Sequence, residues 1–487
     1  MHPVLILLVA IAIVLGGILL LRLHAFLALL LAALVVAMLT PTGALEQYAR
    51  ERVSEEKKPW SEKAAEAFVG STPGERVAVA FGETCGSIGI LIAMASIIGK
   101  CLLDSGAADR IVRSALRLLG QARAPLAFVG SSFLLGIPVF FDTVFYLMIP
   151  LAKAMRLRTG RNYLLYVLSI LAGGSIAHSL VPPTPGPLYV AGELGVDLGT
   201  MIVGGCIVGL FPVTAGYLYA KWANRRWDLP LRESADVSLA DLEKLRERDE
   251  RELPPTWLSL LPILIPVVFI AGQTGYGTWL GAMEPGAAPA WAIAVKPVVD
   301  TLGNKNVALI VAAAVALGTL AWQKRAGRPE LAKAVETALA SGGVIILITS
   351  AGGAFGATMR QCGVGGEIAR LTQGIDPLWI LPVAFLVTAL VRGAQGSATV
   401  AMITAVGILG HFATSGALSF HPVYLALAIG CGSKPFPWMN DSGFWVITKM
   451  SGMTETEALR ALFPMLTIMG LAGLAATMIG AALFPLV

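Results

Sequence analysis

Asp142 stands between Phe141 and Thr143 inside the apolar stretch 125–155. A carboxyl group in apolar surroundings favours its neutral form, so Asp142 has the chemistry of a proton carrier. It equally suits a structural carboxylate that accepts bonds from the amides of a turn. Asp441, in Trp438-Met-Asn-Asp-Ser-Gly443, can relay a proton, coordinate a cation or cap the helix that follows. Lys434 precedes Asp441 by seven residues (441 minus 434) and is a candidate ion-pair partner for it. A charge at the centre of a bilayer costs about 2.5–3.5 kcal/mol even on lenient insertion scales, so such residues are functional candidates by default.

A second set has the chemistry to hold an anion. Ser397, Thr399, Thr184 and Ser442 are hydroxyl residues beside expected half-helix N-termini, whose free amides and positive dipole end suit a carboxylate. Thr143 and Asn440 adjoin the two acids, and Asn440 with broken-helix carbonyls could also hold Na⁺. Arg392 can clamp a carboxylate bidentately or anchor its segment at the membrane interface. His178, just before a Pro-rich break, is either a hydrogen-bonded structural histidine or a ligand contact.

Enzymatic motifs are missing. The chain has no HExxH, GxSxG or GxxxxGK[ST] pattern, which argues against zinc hydrolysis, serine hydrolysis and ATP-driven transport. The five His are scattered, and the five Cys lie in apolar segments without paired spacing. No metal site, cofactor or disulfide framework is expected.

The elements that must position these residues are membrane helices. The 487 residues are 56% hydrophobic and 14% charged, against roughly 25% charged in soluble domains; the mean hydropathy is +0.74. Crossings are expected at about 3–21, 25–40, 80–103, 163–192 and 199–220, then at 257–275, 306–323, 335–358, 421–447 and 457–485. The first reads as a retained span, since no basic residue precedes it and no small-residue cleavage site follows. Residues 348–447 repeat residues 91–189: Gly99 and Gly356 align at an offset of 257 (356 minus 99), Tyr166 and Tyr424 at 258 (424 minus 166). Each copy interrupts a crossing, the first at Pro182, Pro183, Pro185 and Gly186, the second at Pro435, Pro437 and Gly443. Matching broken helices in two repeats are the best sequence pointer to a transporter binding site.

The segments 125–155 and 377–410 have polar or Gly-rich middles, Gly136 to Thr143 and Arg392 to Thr399. A straight span would bury those groups in lipid, so each is expected to be a re-entrant hairpin, the alternative being a kinked pair of ordinary spans. Five crossings per repeat require the second copy to be inverted. The basic loops at 104–123, 152–162, 221–255 and 324–333 then fall on one side, the cytoplasm. The expected fold is an all-α polytopic membrane protein of two inverted repeats, 1–222 and 257–487, each with a hairpin and a broken helix. A charged cytoplasmic connector at 223–256 joins them, and loop 45–80 lies outside.

These motifs resemble the gluconate permease (GntP) family of the ion-transporter superfamily. The resemblance rests on Phe141-Asp-Thr-Val-Phe-Tyr-Leu-Met-Ile-Pro150, His178-Ser-Leu-Val-Pro-Pro-Thr-Pro-Gly-Pro187, Gly396-Ser-Ala-Thr-Val-Ala-Met-Ile-Thr-Ala405 and Asn440-Asp-Ser-Gly-Phe-Trp445. It covers nearly the whole chain apart from 45–80 and 228–256. It implies proton-coupled uptake of gluconate or a related small hydroxy acid in a bacterial inner membrane, by a homodimer with a fixed scaffold and a moving transport domain. The chain departs from the family pattern at Asp142, where Glu is frequent, and at Thr184 and Pro437, where His is frequent. The expected function is a proton symporter of a small sugar acid, with a sodium-coupled carboxylate transporter as the alternative and a channel or intramembrane enzyme as other classes.

Overall fold

A computed structural model describes residues 2–19, 21, 23–54, 60–232, 252–281, 283, 288–364, 376–414, 418–437 and 441–486. Every regular element among them is helical. One-turn segments aside, the first half comprises α1 (Pro3–Leu19), α2 (Ala25–Leu39), α3 (Thr42–Val53), α4 (Glu62–Val69), α5 (Pro73–Asp104), α6 (Ala107–Leu119), α7 (Ala124–Leu135), α8 (Phe141–Thr159), α9 (Tyr163–Leu180), α10 (Pro185–Glu193) and α11 (Leu198–Arg226). The second half comprises α12 (Thr256–Gly281), α13 (Ala290–Gly303), α14 (Lys305–Lys324), α15 (Arg328–Gln361), α16 (Ile380–Gln395), α17 (Ala398–Leu409), α18 (Val423–Gly432), α19 (Ser442–Ser451) and α20 (Glu455–Leu483).

Local chemistry places the ends. Thr72 and Glu75 form a capping box that opens α5 seven residues before the expected start at 80, and Thr454 with Glu457 does the same for α20. Pro185 begins α10, where its missing N–H leaves no helical bond unmade. Gly160 and Gly396 close α8 and α16 with positive φ, a backbone state that costs a side-chain-bearing residue more. Three expectations are corrected. Loop 45–80 is largely helical, as α3, α4 and the start of α5. The stretch 25–40 is shorter than a straight crossing of ~20 residues: α2 has 15 residues, spanning about 22 Å at 1.5 Å per residue, and the chain then turns by 101° into α3. The basic stretch 104–123 is mostly α6, which buries Ala107, Ala108, Ile111 and Val112 beside its arginines and bends by 113° into the segment holding α7. Most of the charged connector, 233–251, lies outside the described residues.

Among the described residues seven helical stretches are long and apolar enough to cross a bilayer. Their burial differs sharply. The α9–α10 stretch has 94% of its most apolar window buried within the protein, against 28% for α12. The most interrupted helix is thus the best shielded one, and α12 turns most of its surface outward.

The stretch 125–155 reverses direction at residues 136–140. Going along α7, Phe128 meets Tyr166, Val129 and Ser132 meet Gly173, and Gly136 meets Ala177, so α7 runs with α9. Going along α8, Phe141 meets Gly174 and the Thr159 hydroxyl lies 3.3 Å from that of Tyr166, so α8 runs against α9. The stretch 377–410 reverses likewise between α16 and α17. Thr388 and Gly393 of α16 follow Gly432 and Phe436, along α18, whereas Met402 and Gly410 at α17 follow Gly186 and Leu194, along α10. A kinked straight span is therefore excluded in both places.

Helices at matching positions in the two halves pack antiparallel. Thr84 and Ser96 of α5 oppose Gly353 and Gly342 of α15. Ser179 and Ser175 of α9 oppose Ser433 and Lys434 after α18. Pro212 and Tyr219 of α11 oppose Gly473 and Arg460 of α20. Glycine makes these approaches possible, as small residues do where lipid supplies no hydrophobic drive.

The tightest backbone approach is at Gly173, where an added Cβ would collide with the Val129 carbonyl oxygen and sit 2.8 Å from the Phe133 amide nitrogen. Gly173→Ala is expected to destabilise the protein by about 1–3 kcal/mol, because backbone cannot swing aside as a side chain can. Gly82→Ala, where a methyl meets open space, is the control. Thermal unfolding in detergent should separate the two; coincident melting curves would contradict the α7–α9 packing.

Candidate functional site

Both helix breaks and both reversals converge on one cavity of ≈ 350 Å³, within the usual range of small-molecule sites. Phe140, Phe141, Asp142 and Thr143 reach it from the first reversal, and Arg392, Ser397 and Thr399 from the second. His178 and Pro185 flank the first break; Lys434, Pro437, Asp441 and Gly443 belong to the second. Ile345, Ile348 and Thr349 of α15 and Leu462 and Leu466 of α20 complete a largely apolar wall.

The strongest interaction in the cavity is an ion pair. The Arg392 guanidinium donates through Nη2 to Asp441 Oδ2, and both residues are buried. The other Asp441 oxygen, Oδ1, accepts from the Gly443 amide at 2.9 Å and caps α19. Asp441 thus holds the second reversal to the second break, and its capping role is realised. Lys434, expected as the partner of Asp441, instead donates through Nζ to the Ser175 carbonyl oxygen at 2.7 Å. It crosses between the halves and supplies a hydrogen bond to backbone in α9. Arg392 is 6% exposed, so it sits in the protein interior and not at the membrane interface.

Asp142 lies in the first turn of α8, half-buried, with its Oδ1 3.8 Å from where a Cβ on Gly443 would be. Its charged neighbours are Asp441 and Arg392. His178 stacks edge-on to Phe140 at 6.4 Å, and its buried Nδ1 has no hydrogen-bond partner among the described residues. Ser397 caps α17, its hydroxyl accepting from the Val400 amide at 3.3 Å.

Other expected residues serve the breaks themselves. The Thr184 hydroxyl donates to the Val181 carbonyl oxygen at 2.8 Å, inside the first break and away from the cavity wall. Pro182 and Pro183 lie within that break, Gly186 accommodates Met402, and Pro435 packs on Gly470. Asn440 and the Ser442 side chain lie outside the described residues. Sequence reasoning did not place Lys434, Ser175 or Thr349 on the cavity wall. Lys434 was legible as an intramembrane cation, whereas the α15 wall carries no polar pattern that singles it out.

The family described as GntP family permease matches residues 74–483. The chain belongs to the GntP permease family. This permease is 33% identical over 422 residues to a gluconate permease of Pseudomonas aeruginosa, covering 84% of this chain and 89% of that one. It is 32% identical over 467 residues to an uncharacterized permease of Haemophilus influenzae, with 93% and 87% covered. A low-affinity gluconate transporter of Escherichia coli is 30% identical over 400 residues, with 80% and 84% covered. Two solved structures share the fold at 13% identity: the YdaH transporter of Alcanivorax borkumensis, TM-score 0.60 with 95% and 100% covered, and MtrF of Neisseria gonorrhoeae, TM-score 0.61 with 93% and 94% covered. The relatives are permeases and transporters, not enzymes, and one is an inner membrane permease of Escherichia coli. The chain is a multi-pass transporter of the bacterial inner membrane.

Neutralising one member of a buried ion pair strands the other. Arg392→Gln and Asp441→Asn should each destabilise the permease by about 3–5 kcal/mol, and the double variant by less than the sum of the two. Melting temperatures of the four purified proteins test this; strictly additive losses would show that the two side chains do not interact.

Proposed function

We propose that this GntP permease is a proton-coupled symporter of gluconate or a closely related small sugar acid. The single observation that carries the reading is the charge balance of the cavity. Taken as ionised, Arg392 and Lys434 supply two positive charges to the cavity, and Asp142 and Asp441 supply two negative ones. With both acids ionised, the four charges cancel. When Asp142 takes up a proton the cavity carries one net positive charge, which a monocarboxylate neutralises. Each event therefore favours the other, which is thermodynamic coupling between proton and anion. The relatives named for gluconate, and the hydroxyl and imidazole groups of Ser397, Thr399 and His178 on the wall, support a hydroxylated acid as the anion.

The antiparallel packing of matching helices supports two inverted repeats, since an axis in the membrane plane relates each helix to an oppositely directed counterpart. The two reversals are then re-entrant hairpins entering from opposite sides. The hairpins and broken helices form the moving transport domain, and the outward-facing α12 belongs to the scaffold of a homodimer. Residues 1–222 and 257–487 are the repeats, joined by a cytoplasmic connector.

In liposomes, labelled D-gluconate should accumulate above equilibrium under an inward proton gradient, and Asp142→Asn should abolish that accumulation. One anion carried with one proton is electroneutral, so an imposed voltage should matter little, and replacing sodium with choline should change nothing. Accumulation driven by voltage or sodium without a pH response would overturn proton symport, as would full proton-driven accumulation by Asp142→Asn.

A further inference from the structure

A second cavity, of ≈ 380 Å³, lies at the opposite end of α5 from α6 and shares no lining residue with the first. Tyr48 of α3, Phe68 of α4 and Trp60, just ahead of α4, line it on one side. Their rings pack on one another with centroids 5.2–6.1 Å apart. Arg76, Arg360 and Gln361 line it on the other side. The aromatic side lies upstream of residue 74, where the family match begins.

Two polar side chains there are unfinished. Gln361 is 5% exposed, and its Oε1 has no hydrogen-bond partner among the described residues. Arg76 is also 5% exposed; Nη1 donates to the Ser71 carbonyl oxygen at 2.7 Å and Nη2 to that of Ala37 at 2.8 Å, but Nε has no partner among the described residues. Leaving a buried donor or acceptor unmet is costly, and native structures rarely do so without a reason. Arg360 is different, because its charge is met by Glu193 at the end of α10. Glu75 and Glu83 also line the cavity, but Glu75 is engaged in its capping box with Thr72 and Glu83 is exposed. The N-terminus of α5 adds the positive end of a helix dipole beside Arg76.

An open cationic donor, an open acceptor and an aromatic face together match a molecule with a carboxylate, a hydroxyl and a C–H surface. We propose that this cavity is a vestibular site that captures a small hydroxy carboxylate before it reaches the central cavity. The inference rests on the sugar-acid reading above and on its topology, which puts α3 and α4 outside. The carboxylate meets Arg76, a hydroxyl donates to Gln361 Oε1, and the carbon chain lies against the aromatic rings. Through Arg360 and Glu193 the site also adjoins the broken helix, which places captured substrate beside a part of the transport domain.

The test is equilibrium binding of labelled D-gluconate to the full-length protein in nanodiscs, for the wild type, Gln361→Glu and Trp60→Ala. The wild type should bind two molecules per chain and each variant one, and both variants should need several-fold more substrate for half-maximal uptake in liposomes. Gln361→Glu keeps the size of the side chain but sets a negative charge against the ligand. Trp60→Ala removes aromatic surface outside the spanning helices and gives the same discrimination should the first variant fail to fold. One molecule per chain in the wild type, unchanged in the variants, would overturn the vestibule alone. No binding by folded wild type would overturn the gluconate reading and the vestibule with it.

Discussion

A peptide group in a hydrocarbon layer has no water to bond, so a membrane helix can be interrupted only where protein surrounds the interruption. The rest of this structure follows from that constraint. The α9–α10 stretch is broken at residues 181–184 and is also the most buried span, 94% against 28–61% for the other six. The two reversals pack beside it and bring their loose ends to the same place. One volume thus receives polar side chains from both breaks and both reversals, and that volume is the cavity.

Charges inside such a volume need partners as much as amides do. Asp441 answers Arg392 with one oxygen and the Gly443 amide with the other, and Lys434 answers the Ser175 carbonyl. These bonds tie the second reversal to the second break and the second half to the first. Asp142 and His178 are left with less: no hydrogen bond to the Asp142 carboxylate and none to His178 Nδ1 is found among the described residues. A group already committed to a structural bond is poorly placed to exchange a proton or a ligand. Asp441 and Lys434 are in this way committed to holding the cavity together.

Much of this was legible in the chain. Apolar runs of about 20 residues announce membrane helices because the bilayer sets the length, and Pro182, Pro183, Pro185, Pro435 and Pro437 announce interruptions because proline lacks the amide a helix needs. Asp142, Arg392, Asp441 and Lys434 stood out because a charge in an apolar run is costly unless it has a use. These are local properties, written in one stretch of chain at a time, and the structure bears out an all-helical fold with seven long apolar helices among the described residues, together with the breaks and the two reversals.

Which side chains meet was decided only by the fold. Arg392 and Asp441 are 49 residues apart, and Lys434 reaches a carbonyl 259 residues away. Sequence proximity favoured Lys434 as the partner of Asp441; the packing of α16 against α18 brought Arg392 there instead. The apolar wall from α15 carried no signal, since Ile345 and Ile348 look like any lipid-facing pair until α15 is set against the breaks. The helical character of 45–80 and the cavity beneath it were hidden for the same reason. A sequence determines what each segment costs to bury, whereas partners across tens to hundreds of residues are chosen by how the helices pack.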